Sequence, residues 1–200
     1  MTYAIIGFGS IGKGLAKAFA RKGIAVSVST TRDPASFADE AAAIGSSVSA
    51  VSTAEAITAD ILFLTVPFGA GSQVARTLAS WEGKIIIDVT NAYGIPPEDL
   101  DGKPSSAFLA DAFTGAKLVK GFNHLVAAKL EQDPAVTGGR RVVFLAGNDV
   151  DAVTIVEGLA EQLGFAPVQL GGLAEGGLLV QARGKSWGPL IFKDLVKADA

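Results

Sequence analysis

A glycine-rich stretch near the start of the chain has the spacing of a phosphate-binding turn. Its glycines follow the apolar run YAII and precede an Ala-rich segment with helical periodicity. In such a strand-turn-helix unit the first glycine permits the turn, the second admits a pyrophosphate and the third allows close helix packing. Backbone N–H groups then face the phosphates. The spacing predicts dinucleotide binding, rather than a purely structural turn, by Gly7, Phe8, Gly9, Ser10, Ile11 and Gly12.

The loop after the next apolar run distinguishes two dinucleotides. In NAD binders an Asp or Glu about 20 residues after the glycines bonds the ribose 2′-hydroxyl. This chain has other residues there, namely Ser29, Thr30, Thr31 and Arg32. Hydroxyl and guanidinium groups suit a phosphate dianion, so we expect NADP(H). The alternative makes Arg32 a solvated cation and Asp33 the missing acid, although Asp33 before Pro34 fits a helix N-cap better.

Further polar and aromatic residues follow later apolar runs, where ligands bind in doubly wound sheets. After ILFL we expect an apolar wall against the cofactor rings and a strand-end hydroxyl, from Thr65, Val66, Pro67 and Phe68. After KIII we expect Asp88 at the ligand edge as part of the cofactor site, and Thr90 and Asn91 to hold the nicotinamide carboxamide. Each of these residues alone is also a common turn former.

His124 is the only histidine of the chain, and it follows the run KLVKGF. A general acid-base role at the ligand edge is one interpretation. The other is that Asn123 caps a helix and His124 merely lines the pocket. With one histidine and no cysteine in the sequence, we predict no metal site.

The elements that must position these residues alternate along the chain. Apolar runs, several rich in β-branched residues, alternate with segments of helical spacing, which predicts an α/β Rossmann-type fold with a doubly wound, mostly parallel sheet. The expected helices are 11–21, 34–44, 71–81, 105–113 and 150–163. The stretch 91–106 is expected to be a long loop over the ligand edge. Residues 171–200 are expected to form a C-terminal helical cap in which Trp187 either packs or offers a platform for a second ring.

Composition limits the class of protein. The chain has 200 residues, which predicts one domain over 1–200, and a net charge of −3, which offers no footprint for nucleic acid. The longest apolar run, ILFLTVPF, is too short to span a bilayer, and no secretory signal pattern opens the sequence. We therefore expect a cytoplasmic protein without membrane or nucleic-acid partners, and an apolar C-terminal segment that favours a homodimer.

Several stretches together resemble one family, the NADP oxidoreductases that use the deazaflavin coenzyme F(420). They are IIGFGSIGKGLA, STTRDP, LFLTVPF, KIIIDVTN, VKGFN and LAGNDVDAV followed by LGFAPVQLGGL. The resemblance extends to the reductase domain of six-transmembrane metalloreductases. It implies that Gly7 to Gly12 form the pyrophosphate loop, that Ser29, Thr30 and Arg32 hold the 2′-phosphate, and that Asn123 belongs to a strand-end motif. The family usually has a small residue where His124 stands.

The resemblance implies an NADP-dependent oxidoreductase that transfers hydride between NADP(H) and a second ring, with coenzyme F(420), FMN or FAD as co-substrate. In such a reaction the protein supplies geometry and excludes water. Two alternatives remain open. One is a non-enzymatic NADPH-binding redox sensor or partner module. The other is a reductase of a small imine or carbonyl, for which His124 would be the nearby proton donor.

Overall fold

The computed structural model describes residues 1–181 and 194–198. Its strands are β1 Tyr3–Ile6, β2 Val26–Ser29, β3 Val48–Ala50, β4 Ile61–Leu64, β5 Ile85–Asp88, β6 Lys117–Gly121, β7 Ala135–Val136, β8 Gly139–Gly147, β9 Ala166–Gln169 and β10 Val196–Ala198. Its α-helices are α1 Ser10–Arg21, α2 Ala38–Ala42, α3 Thr53–Ala56, α4 Phe68–Ala75, α5 Ser105–Ala112, α6 Ala127–Leu130 and α7 Val150–Gln162. Short 3-10 turns span Pro34–Ser36 and Pro97–Leu100, and a π-helix spans Leu173–Gly177.

The sheet has the order of a doubly wound dinucleotide-binding fold. Strands β3, β2, β1, β4, β5 and β6 are neighbours in that order and pair in parallel. Strand β8 then pairs antiparallel with β6, and β9 pairs in parallel with β8. The predicted fold, a Rossmann-type and mostly parallel sheet, is confirmed. The six strands from β1 to β6 therefore end at one edge, which gathers the loops after β1, β2, β4, β5 and β6.

Helices cover both faces of the sheet, and successive strand residues enter different cores. In β1, Ile5 packs into one buried cluster with Leu15 and Phe19 of α1. Its neighbours Ala4 and Ile6 pack into a second cluster, with Leu109 of α5. This alternation follows from the pleat of a strand and explains why the runs are apolar throughout.

The structure corrects several predicted boundaries. The helix expected over 34–44 is split, because Phe37 has a φ of −136° between the 3-10 turn and α2. The helix expected over 71–81 begins at Phe68 and ends at Ala75. The buried Trp81 indole donates a hydrogen bond to the Ala75 carbonyl over 2.8 Å. This bond gives a partner to one of the last carbonyls of that helix, which have none within the helix.

The C-terminal cap expected over 171–200 is only partly described. Residues 173–177 form the π-helix, and residues after 181 contribute strand β10. The predictions for Trp187 lie outside the described residues. Before β10, Asp194 pairs with Arg141 of β8 over 2.5 and 3.2 Å and with Lys129 over 3.0 Å. The Arg141 bond holds the pKa of Asp194 below its usual range, so these ion pairs fasten β10 to β8.

Candidate functional site

The glycine turn between β1 and α1 has the geometry that the spacing predicts. Gly7 has a φ of +107° and donates its N–H to the Ser29 carbonyl over 2.9 Å. A Cβ on Gly12 would lie 2.0 Å from the Gly7 oxygen, so only glycine lets α1 pack here. A Cβ on Gly9, by contrast, would meet nothing within 4 Å. The backbone is therefore open at the middle glycine, where the first turn of α1 begins.

An open cleft of about 450 Å³ adjoins this turn at the carboxyl edge of the sheet. Its walls come from the loops after β1, β2 and β4, from the start of α3 and from α4 with the turn that follows it. The residues that line it are Ile6, Gly7, Gly9, Thr30, Thr31, Thr53, Thr65, Val66, Pro67, Ala70, Gln73, Val74 and Thr77. Seven of the residues expected at a cofactor site thus meet in one cleft: Gly7, Gly9, Thr30, Thr31, Thr65, Val66 and Pro67.

Thr65 holds the glycine turn in place. Its hydroxyl lies 2.6 Å from the Gly7 carbonyl oxygen and 3.0 Å from that of Ile6, so it donates to this pair of acceptors. A Cβ on Gly7 would come within 2.9 Å of the same hydroxyl. The close approach of β4 to the turn therefore requires both the glycine and the threonine.

The loop after β2 presents its cation to solvent. Thr30 accepts a hydrogen bond from the Arg32 N–H over 2.8 Å, which shapes the turn, and Thr31 and Arg32 are exposed. The Arg32 guanidinium lies 3.5 Å from the Glu40 carboxylate. Asp33 accepts from the Ala35 N–H over 2.8 Å and caps the 3-10 turn, as its position before Pro34 predicts.

Three residues expected at the site point into the protein. Ser29 is fully buried, and its hydroxyl has no partner among the described residues. Phe8 packs against Phe37, and Phe68 packs against Phe108. These side chains support the cleft from beneath and do not line it, which corrects the expectation of an apolar wall that includes Phe68.

A buried polar cluster lies where β5 and β6 end. Asp88 is fully buried and accepts from the Thr90 N–H and hydroxyl at 2.9 and 2.7 Å, from Ser106 at 2.8 Å and from Lys120 at 3.1 Å. Burial lowers the pKa of Lys120, and the Asp88 carboxylate opposes this effect. Asp88 and Thr90 therefore brace the strand ends from inside. Lys120 is a member that the sequence reasoning missed.

Asn91 and Asn123 join the ends of these two strands. The Asn91 amide donates to the Asn123 carbonyl at 3.0 Å, and the Asn123 amide donates to Asn91 Oδ1 at 2.9 Å and to the Val180 carbonyl at 2.8 Å. Asn123 Oδ1 is buried without a partner among residues 1–181 and 194–198. Phe122, which precedes it, has a φ of +60°, a left-handed conformation that is uncommon for an aromatic residue. That turn is what brings Asn123 opposite Asn91.

His124 lies in the interior and not in the cleft. Strand β8 extends past the end of β6, so the Val142 carbonyl lies 3.2 Å from His124 Nε2 and the Phe144 ring is 4.7 Å from the imidazole. The side chain is fully buried, and burial lowers its pKa to about 4. A neutral, enclosed imidazole is a poor proton donor, and this placement argues against the acid-base role.

The sequence reasoning also missed the residues that form the outer part of the cleft, Thr53, Ala70, Gln73, Val74 and Thr77. Thr53 follows β3, a strand of 3 residues that is too short and polar to recognise as an apolar run. Its hydroxyl donates to the Thr30 carbonyl at 3.3 Å and ties the two loops together. Gln73 and Thr77 are four positions apart, a spacing that puts two residues on one helix face, but nothing in the sequence shows that this face meets the cleft.

Two further classes of site are not found in the described part of the chain. Residues 1–181 and 194–198 contain no group of three or more side chains that could hold a metal ion. Within the same ranges, no helix has the length and apolar character needed to cross a bilayer.

The glycine turn, the strand order and the cleft at the carboxyl edge together define a protein of the dinucleotide-binding Rossmann class. Residues 2–92 match the family described as NADP oxidoreductase, coenzyme F(420)-dependent. This part of the chain, the β1-to-β5 region with the glycine turn, is similar to that family. Metalloreductase STEAP3 of Rattus norvegicus is 31% identical over 116 residues, which is 58% of this chain and 23% of that protein. The chain thus spans less than a quarter of this curated relative.

Solved structures share the fold over most of the chain. A hypothetical protein of Sinorhizobium meliloti, SMa0349, is 40% identical with a TM-score of 0.89, over 98% of this chain and 96% of its own. A protein of Arthrobacter sp. FB24 that is described as an F(420)-dependent NADP reductase is 24% identical with a TM-score of 0.67, over 86% of each chain. The first similarity extends well beyond the region that the family model matches.

Proposed function

We propose that this chain binds NADP(H) in the cleft and transfers hydride between the nicotinamide and a second ring of flavin or deazaflavin type. The observation that carries the proposal is the cleft itself, where an open glycine turn and a loop with an exposed arginine meet at the carboxyl edge of the sheet. The match of residues 2–92 to an NADP oxidoreductase family supports the same cofactor.

The residues present fit the phosphates of such a cofactor. The backbone is open at Gly9, and α1 begins at Ser10 without a side-chain cap or an acidic residue in its first turn. Its free N–H groups and helix dipole therefore favour an anion. Thr31 and Arg32 offer a hydroxyl and a guanidinium to a 2′-phosphate. The neighbouring carboxylate of Asp33 accepts the Ala35 N–H as a helix cap. Thr53, Gln73 and Thr77 would surround the adenosine.

The cleft favours positioning over proton transfer. None of its described lining residues has a side chain that ionises between pH 5 and 8. The cofactor, when bound, supplies the hydride, and the chain's own residues orient the ring and exclude water. Asn91, whose side chain is hydrogen-bonded to Asn123, would hold the carboxamide. This division of work suits an acceptor ring that takes its proton from solvent after the hydride.

Stopped-flow mixing tests the proposal. Wild-type protein with NADPH is mixed with FMN, FAD or coenzyme F(420), and the loss of NADPH absorbance is followed together with the acceptor spectrum. Deuterium at C4 of NADPH should appear on C5 of the reduced deazaflavin, because that carbon does not exchange with water. Gly9→Val serves as the matched control, since it is expected to abolish cofactor binding and therefore transfer.

The other outcomes identify the alternatives. NADPH binding without transfer to any of these acceptors would contradict the proposal and favour a redox sensor. Turnover of a small carbonyl or imine, with one ionisation near neutral pH, would favour a side-chain proton donor and a different substrate class. Failure of the wild-type protein to bind NADPH would contradict the cofactor assignment itself.

A further inference from the structure

One carboxylate bridges two cations beside the loop after β2. Glu40, on α2, contacts Lys13 of α1 through Oε1 and Arg32 through Oε2, the latter at 3.5 Å. The Lys13 hydrogen bond is the main cause that holds the pKa of Glu40 below its usual value, so the carboxylate is charged at neutral pH. The Arg32 cation assigned above to the 2′-phosphate thus already has an anionic partner within the chain.

Both cations also have contacts that do not involve Glu40. The Arg32 guanidinium lies 5.2 Å from the centroid of the Phe37 ring, and Lys13 Nζ lies 5.6 Å from that of Phe8. The two rings contact each other, with centroids 5.8 Å apart. Because cation–π contacts of this kind are attractive, the aromatic pair places the cations side by side even without the carboxylate.

The ion pairs are weak enough to exchange. The side chains of Lys13, Glu40 and Arg32 are 38%, 43% and 51% exposed. Solvent-exposed ion pairs contribute little to stability because water and salt screen them. An incoming phosphate dianion can therefore replace the carboxylate as a partner of both cations.

We propose that Glu40 is an internal competitor of the cofactor 2′-phosphate and limits the preference of the protein for NADPH over NADH. The inference rests on the proposed NADP(H) site. The carboxylate occupies the cations when the phosphate is absent and repels the phosphate when it is bound. Both effects oppose NADPH and leave NADH, which has a 2′-hydroxyl, almost untouched.

Calorimetric titration of Glu40→Gln tests this competition without any measurement of activity. We expect NADPH and 2′,5′-ADP to bind about three- to tenfold more tightly than to wild type, from one charge acting on a dianion in screened water. NADH and 5′-AMP should change less than about twofold. Asp39→Asn is the matched control, because it removes an exposed acid from the same helix, and its NADPH affinity should change less than that of Glu40→Gln.

The gain should also depend on the cation. In an Arg32→Ala background, Glu40→Gln should have a smaller effect on NADPH than in the wild-type background, because only the share that acts through Lys13 is left, and a double-mutant cycle measures the difference. Unchanged or weaker NADPH binding by Glu40→Gln would overturn the inference and make Glu40 a residue that positions Arg32. An equal gain from Asp39→Asn would overturn it too, in favour of net charge. Wild-type protein that binds none of the four nucleotides would instead refute the proposed function.

Discussion

Individual residues at the carboxyl edge divide into those that meet the cleft and those that brace it. Thr65 has its hydroxyl on the glycine turn, whereas Asp88 is enclosed by hydrogen bonds from Thr90, Ser106 and Lys120. Residue type and position after a strand do not separate the two groups, because both are polar and both follow apolar runs. The direction of each side chain, set by the sheet pleat and the turn, decides which role it has.

His124 shows how burial makes a residue pH-sensitive without making it catalytic. Burial lowers its pKa from 6.5 to about 4, so the unfolded chain takes up a proton in a range where the folded protein does not. The stabilisation by the neutral imidazole is complete above pH 6.5 and is lost as pH falls towards 4. The loss amounts to about 3 kcal/mol.

The check is urea unfolding of wild type and His124→Gln across this pH range. The free energy of unfolding of the wild type should fall more steeply with acidification than that of the variant, which keeps the same carboxylates but lacks the imidazole. Parallel pH profiles for the two proteins would show that the imidazole titrates normally and is not buried as described.

At the scale of elements, the strand-turn-helix unit of β1 and α1 could be predicted from sequence almost to the residue. Glycine spacing and a continuous apolar run specify it, because each glycine answers a local steric demand. Strand β3 and the bounds of α4 were not recognised. Their sequences carry weak local signals, and contacts distant in sequence determine them, such as the Trp81 indole that caps Ala75. The inward orientation of the His124 side chain could not be predicted from sequence either, because it depends on the left-handed conformation of Phe122 and on contacts with β8.

Substitution of two glycines of this unit should affect different properties, stability in one case and NADPH binding in the other. Gly12→Ala places a methyl group 2.0 Å from the Gly7 oxygen, so we expect unfolding to become easier by about 2 kcal/mol or more. Gly9→Val meets open space in an extended conformation, with φ −80° and ψ −167°, and should change stability by less than about 1 kcal/mol. It should nevertheless abolish NADPH binding. Thermal unfolding and calorimetric titration of both variants measure the contrast, and retained NADPH affinity in Gly9→Val would make the motif structural only.

On the scale of the whole molecule, the two buried clusters share one sheet. Strands β1, β4, β5 and β6 contribute alternate residues to each cluster, so both clusters rest on the same central strands. The alternation of apolar runs and helical segments was enough to predict this architecture. The buried Lys120 was not foreseeable, because its partner Asp88 is 32 positions away.

Shared strands predict that the chain unfolds as one domain. Scanning calorimetry should show a single transition in which the calorimetric and van't Hoff enthalpies agree. Loss of either core removes a face from every central strand, which is why partial unfolding should not accumulate. Two resolved transitions, or an enthalpy ratio well above one, would divide the chain into separate folding units.

The described lining of the cleft is confined to one stretch of sequence, from Ile6 to Thr77, whereas Asn123 and His124 come from much later in the chain. The family match over residues 2–92 contains that entire lining. Recombination can therefore transfer the segment that lines the cleft as one unit. A crossover after β5 would join an unchanged N-terminal segment, with the whole described lining of the cleft, to a different C-terminal segment. Descendants of one ancestor could then diverge in what they reduce while still drawing on the same pool of reductant.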